Sequence, residues 1–393
     1  MVERVPAWKA PFFNNELVQE IRMPLVMRSY LSEDVKAVKS FNDRLQSGGA
    51  SVRFPESPVP EWLPFRTGTP IYQEYYLAVD DDAVRGAYIL KNQPFQVLGE
   101  AIPVGNIRLL MSEGIVDNAF GMVGVRLVRH ALTQNKRLFA LGMGGYDNPC
   151  PRLLQASKWT LIDCPFLFYV NHPNRFLRGI SFLRHRRTIR LVLDGLALSG
   201  LGHLGFRILH YAKRNLGNTL KDLSSELVDD FREWVDPIWD QGQNNCSLVA
   251  VRNPQILNIL YPPGDRKFLR LQVRSRDQIV GWAVIMNTPM TDHTQFGNLT
   301  VGSIVDCFAI PGAETAVISQ ATQLLKEQNV DLIVTNQMHR DWIRGLTRNG
   351  YLSGPSNFIL AMSHELAQSL SPIEESLPRI HMNRGDGDGP INL

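Results

Sequence analysis

The pattern of hydrophobic and polar residues along the chain contains one order of predicted elements twice. Each copy has an apolar segment (106–116 and 301–310), an amphipathic helix (about 121–133 and 313–328) and a second apolar segment (137–142 and 331–335). A strand, a crossover helix and a parallel strand form a βαβ unit, whose connection is right-handed. The repeat therefore predicts two βαβ units in tandem.

Each predicted βαβ unit is flanked by the same kinds of element. A helix (32–45 and 220–239) and a hairpin (74–79 with 85–90, and 268–273 with 279–285) precede it, and a helix and a strand follow it (151–159 with 165–170, and 341–348 with 357–362). Antiparallel hairpins joined to a parallel unit make a mixed sheet. We therefore predict an α/β chain of the α+β mixed-sheet kind, with two tandem domains that are each a twisted mixed sheet flanked by helices.

The domain division follows from this repeat. The predicted units are an N-terminal domain (20–175), a basic and apolar helical linker (176–214), a C-terminal domain (215–365) and a tail (366–393). A chain of 393 residues with 44% hydrophobic residues is long enough for two or three domains, each with its own core.

Composition excludes several classes of protein. A net charge of +3 gives no reason to expect a nucleic-acid partner, since phosphate backbones require concentrated Lys and Arg. The four cysteines lack the spacing of a disulfide framework or a zinc site, and the histidines lack metal-ligand spacing, so we expect no metal and a cytoplasmic location. The start of the sequence has no apolar run typical of a signal peptide, and no stretch is predicted to span a bilayer.

The predicted linker is rich in arginine. Arginines interleaved with apolar residues lie in the linker or directly before it: Arg175, Arg178, Arg184, Arg186, Arg187 and Arg190. One interpretation is a helix that packs across the domains with its arginines in water. The other is peripheral contact of residues 175–190 with an anionic membrane.

The order of elements resembles the GNAT acyltransferase superfamily, in tandem, over residues 20–175 and 215–365. The matching segments are the second hairpin strands (84–89 and 279–284) and the final helix, turn and strand around Asn349-Gly350-Tyr351. The resemblance implies transfer of an acyl group from acetyl-CoA or another acyl-CoA to an amine of a small molecule, sugar or peptide. It also implies that one copy is catalytic and the other supports the substrate cleft.

The resemblance further implies where coenzyme A would bind. In this superfamily, backbone amides of an Arg/Gln-x-x-Gly-x-Gly/Ala motif at a helix N-terminus hold the pyrophosphate, as helix N-termini do for anions in general. The matching segment of copy one is Gly121-Met122-Val123-Gly124-Val125-Arg126, which keeps only the central glycine. Copy two, at residues 310–315, lacks the motif. A plain helix cap is the alternative interpretation of the first segment.

The resemblance also implies candidate catalytic residues. Amine acylation needs a base, and the superfamily often supplies a carboxylate from the fourth strand. Glu113, late in that predicted strand, is the first candidate, Asp117 the second, and Asp306 the equivalent acid in copy two. Many members of the superfamily protonate the leaving thiolate with a tyrosine on the helix after the fifth strand. Here that helix, predicted at 151–159, lacks tyrosine, and Tyr146 is therefore the candidate acid. The alternative is that these acids cap helices or form salt bridges.

A second class of function stays open. The weak pyrophosphate motif also fits a non-catalytic GNAT-like binding module, or an aminoacyl or peptidyl transferase of the peptidoglycan-bridge type on the same fold. Because one fold hosts many activities, the choice between these classes depends on the site.

Overall fold

The structure, a computed structural model, describes residues 25–181, 184, 187–198, 205, 208 and 220–387. The start of the predicted N-terminal domain (20–24), much of the predicted linker and residues 388–393 of the predicted tail lie outside the described residues. The described strands are β1 (Val26–Ser29), β2 (Tyr72–Asp80), β3 (Ala83–Val97), β4 (Glu100–Ser112), β5 (Leu138–Met143), β6 (Thr160–Asp163), β7 (Phe166–Val170), β8 (Leu223–Val228), β9 (Leu248–Ala250), β10 (Leu269–Ser275), β11 (Gln278–Pro289), β12 (Thr300–Ala309), β13 (Leu332–Asn336), β14 (Leu352–Gly354), β15 (Phe358–Met362) and β16 (Ile380–His381).

The helices lie on the faces of two sheets. In chain order the described α-helices are α1 (Val35–Ser47), α2 (Val123–Gln134), α3 (Pro149–Ala156), α4 (Pro173–Gly179), α5 (Arg187–Leu198), α6 (Asp236–Gly242), α7 (Pro254–Leu260), α8 (Glu314–Glu327), α9 (Arg340–Arg348), α10 (His364–Gln368) and α11 (Ile373–Ser376). Helices α1 and α2 pack on opposite faces of the first sheet, and α8 and α6 on opposite faces of the second.

Both sheets are mixed, as the repeat predicts. The first has the order β1-β2-β3-β4-β5-β15-β6, with β9 beside the end of β3 and β16 beside β9. The second has the order β14-β7-β13-β12-β11-β10-β8. In each, the two strands joined by the central crossover helix are parallel: β4 with β5, and β12 with β13. The predicted fold class is therefore confirmed.

The last strand of each copy belongs to the sheet of the other copy. Strand β7, from the first half of the chain, pairs with β13 and β14, whereas β15, from the second half, lies between β5 and β6. This exchange could not be anticipated from a linear repeat, since strand partners are not encoded in local periodicity. The division of the chain at residues 175 and 215 stays a prediction, and the exchange makes the two halves interdependent.

One glycine has the same structural role in both copies. A Cβ at Gly86 of β3 would lie 2.7 Å from the Val123 side chain of α2, and a Cβ at Gly281 of β11 would lie 2.5 Å from the Val317 side chain of α8. The shared hairpin sequence therefore keeps a glycine where the crossover helix packs closest to the sheet.

The prediction of a helix at 220–239 is wrong. Residues Leu223–Val228 form the edge strand β8, paired along β10, and the helix in this region begins only at Asp236. Pro237 lies near the end of the predicted helix, where it would remove a backbone donor, whereas it suits the first turn of α6. Pairing with β10 therefore outweighed the local helical pattern.

Candidate functional site

The parallel strands of copy one separate into a wedge. Pairing between β4 and β5 is confined to Gly105 with Leu138 and Asn106 with Phe139. Beyond this point β4 has a bulge, where Leu109 has a φ of 45° and the register with β3 shifts. Bulges bend a strand and redirect its side chains. The carboxyl ends of β4 and β5 therefore diverge, and such openings in α/β sheets are common ligand sites.

Copy two has the same wedge, but its own side chains fill it. Pairing of β12 with β13 ends at Ser303 and Val334, and β12 also bulges. The remaining space has a volume of about 10 Å³, which accommodates at most about one water molecule. It is enclosed by Gly242, Asn245, Cys246, Phe308, Ala309, Pro311, Glu314, His339 and Trp342. A coenzyme-sized ligand does not fit there.

An acidic side chain also occupies the helix N-terminus of copy two. Glu314 is the first residue of α8, is buried, and accepts a hydrogen bond from the Gly312 N–H at 3.2 Å. Burial raises the pKa of this carboxyl group, while the backbone hydrogen bonds oppose that shift. The carboxyl group lies where a bound phosphate would otherwise meet the first amides of the helix.

The corresponding helix end of copy one carries no acid. Helix α2 begins at Val123, has no acidic residue in its first turn, and is preceded by Met122, which is 60% exposed and makes no side-chain cap. The first amides of a helix have no partner within the helix. The N-terminus of α2 therefore has the electrostatic character of an anion site, which α8 lacks.

Gly124 has a packing role that the sequence did not reveal. A Cβ at this position would lie 3.0 Å from the Leu153 side chain of α3 and 3.8 Å from Ser112 at the end of β4. Glycine therefore allows α2 to pack close to α3, whether or not a ligand binds. The assignment of Gly121 to Arg126 as a cofactor site stays a prediction.

Glu113 lies beyond the strand in which it was predicted. Strand β4 ends at Ser112, and Glu113 begins a 3-10 turn. Its buried carboxylate accepts hydrogen bonds from Arg44 of α1 at 2.7 and 3.1 Å and from Arg85 of β3 at 3.1 Å. Glu113 therefore forms salt bridges with neighbouring elements, as the alternative interpretation predicts. These contacts connect the end of β4 to α1 and β3.

The side chains of the other two candidates have contacts of their own. Asp117 is exposed and accepts a hydrogen bond from the Ala119 N–H, so it caps a short 3-10 turn. Tyr146 is 43% exposed in the loop after β5, and its pKa is raised, first by partial burial and then by the nearby Asp163 at the end of β6. Within the described residues, no side-chain hydrogen bond or salt bridge joins two of the three predicted catalytic residues. Their catalytic roles stay predictions.

Asp306 belongs to a fully buried ionic network. Arg252 donates hydrogen bonds to both carboxylate oxygens of Asp306, at 3.0 and 3.2 Å, and to both of Asp386, at 2.9 Å. Tyr261 and Asn383 also donate to Asp306. Burial raises the pKa of Asp306, although the charge of Arg252 opposes the shift. The network fixes the segment around Asp386 between the two sheets.

That C-terminal segment reaches the base of the wedge in copy one. The Asp386 carbonyl oxygen accepts hydrogen bonds from Lys91 and from Asn106, both at 3.1 Å. Asn106 is the last residue of β4 that pairs with β5. A Cβ at Gly387 would lie 3.4 Å from the Leu141 side chain of β5. Residues near the end of the sequence thus line the narrow end of the wedge.

A row of buried polar side chains adjoins this point, and the sequence analysis missed it. Gln73, Lys91 and Asn106 lie directly opposite one another on β2, β3 and β4. The Trp62 ring faces the Lys91 ammonium, 5.6 Å from the ring centre, and the Arg108 guanidinium, at 5.2 Å. Polar residues at alternate positions of apolar strands are the signal that could have found this row.

Several atoms of this region have no hydrogen-bond partner within the described part of the chain. They are Trp62 Nε1, Gln73 Nε2, both amide atoms of Gln93, and Asn106 Oδ1. Gln73, Gln93 and Asn106 are buried. Buried polar atoms normally bind ordered water or a ligand when protein partners are lacking. We call Trp62, Gln73, Lys91, Gln93 and Asn106 the polar row.

Other candidate chemistry is not supported. Burial raises the pKa of Cys150 to about 12, which favours the unreactive thiol, and all four cysteines are unpaired. Among the described residues, no group of three or more His, Cys, Asp or Glu side chains is arranged to hold a metal ion. None of the described helices combines the length and apolar character that a membrane span requires.

Comparisons with known proteins gave low similarity. No protein-family model matches the sequence, and no curated protein matches it. Among solved structures, Saccharomyces cerevisiae N-myristoyltransferase with bound myristoyl-CoA and inhibitors aligns at a TM-score of 0.49 and 11% identity, covering 86% of this chain and 79% of that one. A probable N-acyltransferase from Enterococcus faecalis aligns at 0.49 and 7%, covering 88% and 74%. A GCN5-related N-acetyltransferase from Anabaena variabilis aligns at 0.44 and 9%, covering 73% and 62%. Similarity at these values does not show an activity.

Proposed function

We propose that the chain is an acyl-CoA-dependent N-acyltransferase whose N-terminal copy binds the acyl donor. The observation that supports this proposal is the difference between the two helix N-termini. Helix α8 begins with the carboxyl group of Glu314, whereas the first turn of α2 has no acid. The pyrophosphate of coenzyme A would bind the amides of residues 121–126, because helix N-termini attract anions.

The wedge of copy one gives the rest of the donor a path. Beyond Asn106 and Phe139, the facing edges of β4 and β5 are no longer paired with each other. An extended ligand with amide groups can bind such edges as an added strand would. The pantetheine arm, which carries two amides, would lie there and direct its thioester toward the interior of the wedge.

The polar row would bind the acceptor. It adjoins the base of the wedge through Asn106 and offers both hydrogen-bond donors and acceptors that lack protein partners within the described residues. The amine nitrogen would attack the thioester carbonyl carbon, the carbon–sulfur bond would break, and an amide would form. The amine loses a proton and the thiolate gains one. A small-molecule or peptide amine meets these requirements.

The proton-transfer residues remain candidates. We retain Glu113 and Asp117 as candidate bases and Tyr146 as candidate acid. The contacts of Glu113 with Arg44 and Arg85 favour a positioning role, because both carboxylate oxygens already accept hydrogen bonds from guanidinium groups. Glu113 would then hold the end of β4 in place beside the thioester.

The proposal is tested by placing a negative charge at the start of α2. Gly124 is unsuitable, because any side chain there would meet Leu153. Met122 is exposed, so Met122→Glu changes charge with little effect on packing, and Met122→Gln is its neutral control of the same shape. We expect Met122→Glu to weaken coenzyme A binding about tenfold or more in calorimetric titrations, and Met122→Gln to leave it nearly unchanged.

A matched control in copy two separates the two helix ends. Glu314→Gln keeps the hydrogen-bonding shape and should not alter coenzyme A affinity. Helix stability is expected to be preserved in Met122→Glu, since acids suit a helix N-terminus. Equal affinities of the Glu and Gln variants at Met122 would contradict the donor site. Thiol release from several acyl-CoAs with a panel of amines would then measure turnover and chain-length preference.

A non-catalytic binding module is the second candidate. The ion pairs of Glu113 favour it, because they engage the leading candidate base. Coenzyme A binding that Met122→Glu weakens, without thiol release from any amine, would support this module. An aminoacyl or peptidyl transferase would instead be indicated by activity without any coenzyme A binding.

A further inference from the structure

Helices α4 and α5 form a pair on the second sheet, away from the wedge of copy one. Their inner side chains, including Phe176, Leu177, Ile180 and Ala197, pack against β7 and β13. Beside this core is an open pocket of about 390 Å³. It is lined by Arg178, Gly179, Ser181, Arg184 and Arg190. Arg186, another arginine of this region, lies outside the described residues.

The pocket has an excess of positive charge. Arg184 forms a two-point ion pair with Asp194, at 2.7 and 3.0 Å, and also donates to the Leu177 carbonyl oxygen. Within the described residues, Arg178 and Arg190 have no carboxylate at salt-bridge distance, although both lie close enough to lower the pKa of Asp194 further, after Arg184. Three guanidinium groups and one carboxylate leave two positive charges at the pocket.

An exposed apolar side chain adjoins these charges. Leu191 is 72% exposed, and Ile189 is 36% exposed. Residues three and four apart lie on one face of a helix, so Arg190 and Leu191 share a face with Asp194. Asp194 is the residue that forms the ion pair with Arg184 of the pocket. We call Arg178, Ser181, Arg184, Arg190 and Leu191 the α4–α5 surface.

We infer that the α4–α5 surface binds the headgroups of an anionic lipid bilayer. Guanidinium groups bind phosphate oxygens in pairs, and the pocket is large enough for a headgroup. A leucine beside the basic pocket can enter the interfacial region, as on membrane-surface helices with basic and apolar side chains together. The inference is independent of the proposed acyl transfer, because it uses a different part of the molecule.

The test is sedimentation of the full chain with lipid vesicles. One set contains phosphatidylcholine alone, and the other contains phosphatidylcholine mixed with phosphatidylglycerol. We expect binding to the anionic vesicles only, weakening with added salt. Each basic residue near a bilayer contributes about a fivefold change in affinity, so Arg178→Ala and Arg190→Ala should each reduce binding about fivefold and together about twenty-five-fold.

Two further variants test the contribution of the apolar side chain and the specificity of the charge effect. Leu191→Ser should weaken vesicle binding without removing charge. Arg276→Ala removes an exposed arginine from the β10–β11 turn and should have no effect. Circular dichroism of every variant checks that the fold is retained. Equal binding to both vesicle types, or full binding by the double arginine variant, would overturn the inference.

A soluble anion is the remaining outcome. A site for free phosphate would be indicated if calorimetry detected binding of inorganic phosphate that depends on Arg178 and Arg190, while the anionic vesicles failed to sediment the protein. That result would also overturn the membrane assignment.

Discussion

Replacing Arg252 with methionine tests the ionic network between the two sheets. The Arg252 side chain is 1% exposed, and the carboxylates of Asp306 and Asp386 are 2% and 3% exposed. Arg252→Met keeps much of the aliphatic length but removes the charge and every hydrogen bond that the guanidinium donates. Two buried carboxylates then remain without their cation.

The expected cost is large because the two carboxylates stay buried without a compensating charge. Removing one member of a buried ion pair typically costs about 3–5 kcal/mol. We therefore expect the free energy of unfolding of Arg252→Met to fall by about that amount at neutral pH. The triple variant Arg252→Met/Asp306→Asn/Asp386→Asn should recover much of the loss, because it leaves no buried charge.

The loss should depend on pH in a definite direction. Burial already raises the folded-state pKa of Asp306, and removing Arg252 raises it further. An acid with a raised folded-state pKa stabilises the fold below its ordinary pKa of about 4, and this contribution is lost as the pH rises through the folded-state value. The variant should therefore be less impaired near about pH 5 than near about pH 8.

Urea unfolding followed by tryptophan fluorescence measures these differences. Arg276→Met is the matched control, since its ion pair with Asp222 is exposed and should contribute about 0–1 kcal/mol. A loss within about 1 kcal/mol of the control at neutral pH would refute the assignment of the network as a buried, charge-balanced unit. So would a loss that does not grow with pH.

Three other predictions concern Glu113, the buried histidines and the exchanged strands. Glu113→Gln should lower the free energy of unfolding by about 2 kcal/mol in urea titrations, and a pH-independent fall in maximal rate would indicate positioning, whereas recovery of the rate at high pH would indicate a base. Burial lowers the pKa of His339 and His381, so stability should fall as the pH drops below about 6.5, by up to about 1.4 kcal/mol per pH unit for each histidine; His381→Phe should flatten this slope, and an unchanged slope would contradict it. Residues 1–214 and 215–393 expressed separately should be poorly soluble, because each lacks the strand that the other supplies, and co-expression should recover both; two monomeric, cooperatively folded halves would disprove this dependence.

The repeated pattern of the sequence determined the sheets and their crossover helices. Alternating apolar residues and turn signals give strands and hairpins locally, and the helical period gives α2 and α8. Gly86 and Gly281 could be recognised as matching positions because the hairpin sequence repeats. The prediction of a helix at 220–239 was wrong, since an edge strand with exposed polar residues has no strong periodic signal. This strand, β8, is stabilised by pairing with β10, which lies far along the chain.

The candidate site was predictable only in part. The N-terminus of α2 could be located from the order of strand, turn and helix. The partners of Glu113 could not, because Arg44 and Arg85 lie 69 and 28 residues away along the chain. The same reason applies to Asp306, whose partner Arg252 lies 54 residues away.

The sequence by itself determined the fold class and the duplication, because these depend on interactions among neighbouring residues. Only the tertiary structure decided that β7 and β15 exchange sheets, that copy two fills its own wedge, and that Asp386 reaches the base of the wedge in copy one. These features depend on contacts between residues far apart in the chain. Local periodicity and spacing carry no record of such contacts, because many pairings of the same elements would satisfy the same pattern.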